Sequence, residues 1–161
     1  RSTPACRHLL VSGAGAVHTV EGYETLINSD AAQGMSTSLR IAVDAAEEAD
    51  ASLLLILLAD MPFVTTQHLL ALISKSAEAP SEAIFSIADA GLPQPPALLP
   101  ADLFPALRAL EGDKGARGLA KDARQISAPA EQLLDIDTPD DLARARDYLK
   151  VSANRSRKTV F

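Results

Sequence analysis

Asp60 closes the most apolar run in the chain, Ser52-Leu53-Leu54-Leu55-Ile56-Leu57-Leu58-Ala59, and is followed at once by Met61-Pro62. A short apolar run that ends in a carboxylate, a proline and a new helix start reads as a buried parallel strand. Its carboxyl end then opens into a crevice, the place where ligands bind in open α/β sheets. A carboxylate at that position either holds a cation or caps the next helix. Magnesium suits the first role, because it takes one or two protein carboxylates and fills its remaining positions with substrate phosphate and water.

Three further constellations can carry chemistry. In Asp135-Ile136-Asp137-Thr138, at most one of the two carboxylates is expected to share a site with Asp60. Asp137 sits just before a helix start, beside backbone N–H donors that also suit phosphate; a solvated acidic turn is the competing role. In Gly112-Asp113-Lys114-Gly115-Ala116-Arg117, the glycines allow close backbone approach and Lys114 and Arg117 can bind phosphate. The competing role is a helix C-cap followed by a new helix. In Gln33-Gly34-Met35-Ser36-Thr37-Ser38, small hydroxyl residues at a helix start can meet a phosphate, a ribose or a base edge, or serve as ordinary caps. Gly13-Ala14-Gly15 lacks the third glycine of a dinucleotide fingerprint, and His8, His18 and His68 show no metal spacing.

The elements that must position these groups alternate between strand and helix. Leu9–Val11, Glu24–Asn28, Ser52–Ala59 and Ala83–Ile87 read as strands, with Ala97–Leu99 a brief fifth and Leu133–Asp137 extended. Asp30–Thr37 reads as a loop. Helices are predicted from about Ser36 to Ala49, after Thr65 or Thr66, around Leu103, Leu107 and Leu110 up to Gly112, and briefly after Gly115. Another starts at Thr138-Pro139-Asp140-Asp141, with Thr as N-cap, Pro at the first helical position and acids in the first turn. Gly91–Pro96 is too rich in proline for regular structure, and residues 151–161 read as a basic, flexible tail. The expected architecture is one α/β domain over residues 1–150, a three-layer α/β/α arrangement with a mostly parallel sheet and the Ser52–Leu58 strand in its interior.

Composition agrees. The chain has 161 residues, is 47% hydrophobic and 4% aromatic, and has no Trp. Small aliphatic side chains of this kind suit a sheet covered by helices on both faces. A net charge of -6 argues against nucleic acid or an acidic membrane surface as partner. The single cysteine, Cys6, excludes an internal disulfide and a cysteine zinc site, and suits a cytoplasmic location. No apolar run reaches the roughly 18 residues of a membrane helix.

Taken in order, Gly34–Leu39, Leu58–Pro62, Gly112–Arg117 and Asp135–Leu142 resemble the MobA-like NTP transferases, with the molybdenum cofactor cytidylyltransferase type the nearest branch. The resemblance runs from about Leu9 to Leu149. It implies a Rossmann-like nucleotidyltransferase sheet and the transfer of CMP from CTP, or a nucleotide from another NTP, onto molybdopterin with release of pyrophosphate, ahead of a molybdoenzyme acceptor. It further implies that Asp60 is the catalytic Mg²⁺ ligand and Asp137 a second, that Gly34 and Ser38 lie with Asp60 by the nucleotide, and that Asp113 and Arg117 lie on the substrate side. Two departures stand out. Nothing in Arg1–Gly15 matches the family's glycine-rich Leu-Ala-Ala-Gly phosphate loop, and Gln94-Pro95-Pro96 stands where many members carry Gly-His-Pro or Gly-Asn-Pro. The residues from Arg1 onward are therefore expected to lack a cradle for the β- and γ-phosphates and to need an N-terminal extension for turnover. A transferase for another small phosphate, such as a sugar phosphate, and a non-catalytic domain are the rival expectations.

Overall fold

The computed structural model describes residues 6–15, 18–89 and 91–158, with side chains left undescribed at 113–115, 117, 122 and 152–158. The chain divides into two compact units, one from the described parts of Arg1–Leu54 and Leu99–Lys121, the other from those of Leu55–Leu98 and Asp122–Phe161.

In the first unit, β1 (Leu9–Gly13) and β2 (Glu24–Asn28) pair in parallel, with Val11 opposite Leu26 and Gly13 opposite Asn28. A 3-10 turn over Ala31–Gln33 leads to Gly34, which caps helix α1 (Met35–Glu48) at a φ of 108°. That backbone conformation is open to glycine and strained for most other residues. Leu39, Val43 and Ala46 recur at helical spacing and are buried, and α1 packs on β1, β2 and the short helix α3 (Phe104–Arg108). Arg108 forks onto Asp44 at 3.0 Å and Glu47 at 3.1 Å, fastening α3 to α1. The helix therefore starts inside the stretch read as a loop, one residue before the predicted start.

The second unit centres on a sheet of four strands in the order β3-β5-β4-β6, made by β3 (Leu53–Ile56), β4 (Ile84–Ala88), β5 (Gln94–Pro100) and β6 (Arg124–Ala128). Residues 55–56 of β3 and 94–98 of β5 fall in this unit. β4 pairs with β6 in parallel and with β5 antiparallel. Helix α2 (Thr66–Ser76) covers β4 and β6, and Leu72, Ile84 and Leu98 are buried together against Leu55, Leu69 and Ile126. A second cluster joins Met61, Ala128 and Leu133 with Leu58, Val64 and Ala88. Helix α4 (Pro139–Lys158) is the last element among the described residues. The fold class is α/β with parallel pairing predominant, as the sequence implies.

Three expectations are corrected. Within Ser52–Leu58 the strand is β3 (Leu53–Ile56), and among the described residues it is a terminal strand of the four-strand order, not an interior one; Leu57, just beyond it, is 47% exposed. An apolar run signals a strand but not how many neighbours it has. β5 runs through Pro95 and Pro96, in the stretch read as irregular. The register passes from Phe85 opposite Ala97 to Ser86 opposite Gln94, so both prolines sit at a bulge where no ladder N–H is needed. β6 falls in a stretch with no predicted strand: its sequence, Arg-Gln-Ile-Ser-Ala, has one large apolar side chain. The helical backbone of α4 continues to Lys158.

Candidate active site

Asp60 lies in a turn after β3, where the Met61 N–H bonds back to the Leu58 carbonyl at 3.3 Å. Its side chain is exposed. The buried Met61 anchors the turn in the cluster with Ala128 and Leu133, so the carboxylate projects from a fixed base. The Ile136 N–H donates to the Asp60 carbonyl at 3.1 Å. That bond ties the Asp60 turn to the extended segment carrying Asp135 and Asp137, and so brings two sequence-distant candidate ligands onto hydrogen-bonded chain segments. Burial separates the pair: Asp135 is half-buried and Asp137 exposed.

Asp137 precedes the start of α4, which is held by a reciprocal cap. The Thr138 N–H donates to Asp141 Oδ2 at 2.9 Å, and the Asp141 N–H donates back to Thr138 Oγ1 at 3.2 Å. Thr138 Oγ1–H also donates to Asp141 Oδ2 at 2.6 Å, and Arg144 pairs with the same carboxylate. The Thr138 hydrogen bond, assisted by Arg144, holds the Asp141 carboxyl below its usual range. Exposed carboxylates are hard oxygen donors, the type a magnesium-type ion takes alongside phosphate and water. Among the described residues no cluster of three or more His, Cys, Asp or Glu side chains could hold a metal, so Asp60 and Asp137 form at most a two-carboxylate site.

The other candidates belong to the first unit. Gly34 and Ser38 flank the first turn of α1, and Ser38 Oγ accepts a hydrogen bond from Asn28 Nδ2 at 2.9 Å. Asp113 and Arg117 belong to a 3-10 run over Gly112–Asp122; their side chains lie outside the described residues. The same run replaces the short helix expected after Gly115, and Gly112 opens it at a φ of 64°. Asn28 belongs to none of the four constellations, although it is 1% exposed and bonded to both Thr37 and Ser38. An asparagine ending a strand just before a run of small polar residues is the signal that marks it.

Residues 1–128 match the family described as MobA-like NTP transferase domain, and the chain belongs to that family. It is 36% identical over 124 residues, 73% of its length, to the purine catabolism protein PucB of Bacillus subtilis (strain 168), and spans 58% of that relative. Among solved structures it resembles Rv0371c of Mycobacterium tuberculosis H37Rv, at a TM-score of 0.71 and 25% identity, covering 86% of this chain and 75% of that one. Rv0371c has also been solved in complex with manganese, matching at a TM-score of 0.68 and 23% identity over 86% of this chain and 76% of that one. The fold is shared with molybdopterin-guanine dinucleotide biosynthesis protein A of Archaeoglobus fulgidus, at a TM-score of 0.55 and 19% identity, over 80% of this chain and 69% of that one.

Proposed function

We propose that the chain is the catalytic domain of a divalent-metal-dependent nucleotidyltransferase that moves CMP from CTP onto molybdopterin and releases pyrophosphate. The observation that carries the reading is the Ile136-to-Asp60 backbone bond, which sets the exposed carboxylates Asp60 and Asp137 on joined segments. Family membership supports the reaction class. The manganese complex of Rv0371c supports the metal, and the A. fulgidus protein's name supports the acceptor.

Asp60 and Asp137 would hold the ion, with Mg²⁺ the expected occupant. A bound divalent cation supplies neutralisation of charge developing on the phosphoryl oxygens. The acceptor phosphate oxygen attacks the α-phosphorus while the bond from that phosphorus to the bridging oxygen breaks, and pyrophosphate leaves. No protein nucleophile is needed. Gly34 would let the backbone approach the nucleotide, and Ser38 would offer it a hydroxyl. Asp113 and Arg117 would act on the acceptor side, where Arg117 suits a phosphate.

Two experiments test the reading. Asp60→Ala in the intact protein is expected to lower turnover by about a hundredfold or more. Because the side chain is exposed, the melting temperature should move by no more than a few degrees; near-normal turnover in this variant would sink the metal role. A competition assay with equal CTP and GTP is expected to favour the cytidylyl product, and equal products would defeat the choice of base.

A further inference from the structure

We infer that Asn28 is a positioning residue that fixes the polarity of the Ser38 hydroxyl so that it faces a nucleotide as a hydrogen-bond donor. The inference rests on the proposed reading of Ser38 as a nucleotide contact, and deepens it.

Asn28 ends β2 and is buried at 1% exposure. Its amide has three polar positions, and each is used. Oδ1 accepts from the Asp30 N–H at 2.9 Å. A backbone N–H can only donate, so this bond fixes which end of the amide is oxygen. Nδ2 must then point the other way, and its two hydrogens go to Thr37 Oγ1 at 2.8 Å and Ser38 Oγ at 2.9 Å. Thr37 is satisfied in both senses, because its own hydroxyl donates to the Gly34 carbonyl at 2.8 Å. That bond ties the network to the positive-φ glycine at the head of α1.

Ser38 differs from Thr37. Its oxygen accepts from Asn28, and among the described residues its hydroxyl proton has no acceptor. A hydroxyl whose lone pair is held by a buried amide keeps its proton for an external acceptor. Phosphate oxygens, ribose hydroxyls and the carbonyl of a pyrimidine base are all acceptors. An aspartate at position 28 would keep the bond to the Asp30 N–H but could only accept at its second oxygen. It would draw the Ser38 proton inward and turn lone pairs toward the ligand.

The test is a double-mutant cycle on the dissociation constant of CTP with Mg²⁺, measured on the intact protein. Ser38→Ala is expected to weaken binding about tenfold, the scale of one hydrogen bond to a charged group. Asn28→Asp should weaken it by a similar factor. In the double variant the aspartate should add less than about twofold, since the hydroxyl through which it acts is gone. Where the aspartate variant fails to fold, Asn28→Ser, which withdraws the amide donors without adding charge, completes the same cycle. Losses that multiply in the double variant, or wild-type affinity at position 28 variants, overturn the positioning role while leaving Ser38 as a contact. A wild-type protein that binds no CTP overturns the site reading itself, and the inference with it.

Discussion

His68 shows how a buried titratable side chain is held neutral. Its Nε2 lies 2.7 Å from Ser86 Oγ, and Ser86 donates its own proton to the Pro96 carbonyl at 2.6 Å. The serine oxygen must therefore accept, so the histidine carries its proton on Nε2. Burial pushes the His68 pKa below the ordinary 6.5. The sign of the linkage follows. The unfolded chain binds the extra proton more readily, so stability is fully present above pH 6.5 and is lost as the pH falls toward the lower folded value. Its slope cannot exceed about 1.4 kcal/mol per pH unit for one proton. Urea midpoints measured from neutral pH downward should fall for the wild type below pH 6.5. His68→Gln, which keeps an N–H donor and does not titrate, should show a shallower fall. Equal slopes would mean that His68 is not the group responsible.

At the scale of elements, helix α4 begins where the chain says it should. Thr138 and Asp141 exchange hydrogen bonds across one turn, with aspartate standing where a capping box more often has glutamate. Thr138→Ala is expected to cost about 1 kcal/mol, read as a lower urea midpoint with an unchanged slope. A midpoint within error of the wild type would show that Asp141 and water cap the helix unaided. The starts of α2 and α4 are legible in the sequence because a cap is local: Thr65 receives the His68 N–H three residues on, just as Thr138 receives that of Asp141. β5 and β6 are not legible, because their identity lies in distant partners. Pro95 and Pro96 become tolerable only at the bulge opposite Phe85 and Ser86, and β6 owes its place to pairing with β4. The candidate site divides in the same way. Asp60 and Asp137 stand out as carboxylates at element ends, but the bond joining their segments links parts of the chain far apart in sequence. Asn28 reads as an ordinary strand residue until its three bonds are seen.

For the whole chain the relevant quantity is charge. With 21 acidic and 15 basic residues it carries a formal net charge of -6, yet its proposed ligand is a polyanion. Three of the arginines are already engaged: Arg7 pairs with Glu24, Arg108 with Asp44 and Glu47, and Arg124 with Glu82. Each of these pairings raises the pKa of its guanidinium, so these cations stay charged but are spoken for. Bare carboxylates at Asp60 and Asp137 would add to the repulsion at the proposed site. A divalent cation held by these carboxylates would reverse the sign of the local field that a phosphate meets. Removing it with EDTA is therefore expected to weaken CTP binding by about tenfold or more. The residual metal-free binding should strengthen as ionic strength rises from about 0.01 M to 0.15 M, because salt shortens the Debye length from roughly 30 Å to 8 Å and screens repulsion between like charges. Attraction between a cationic site and the nucleotide would give the opposite salt dependence. Metal-free affinity that falls with added salt would place an unpaired cationic cradle at the nucleotide and remove the carboxylate pair from the centre of the site.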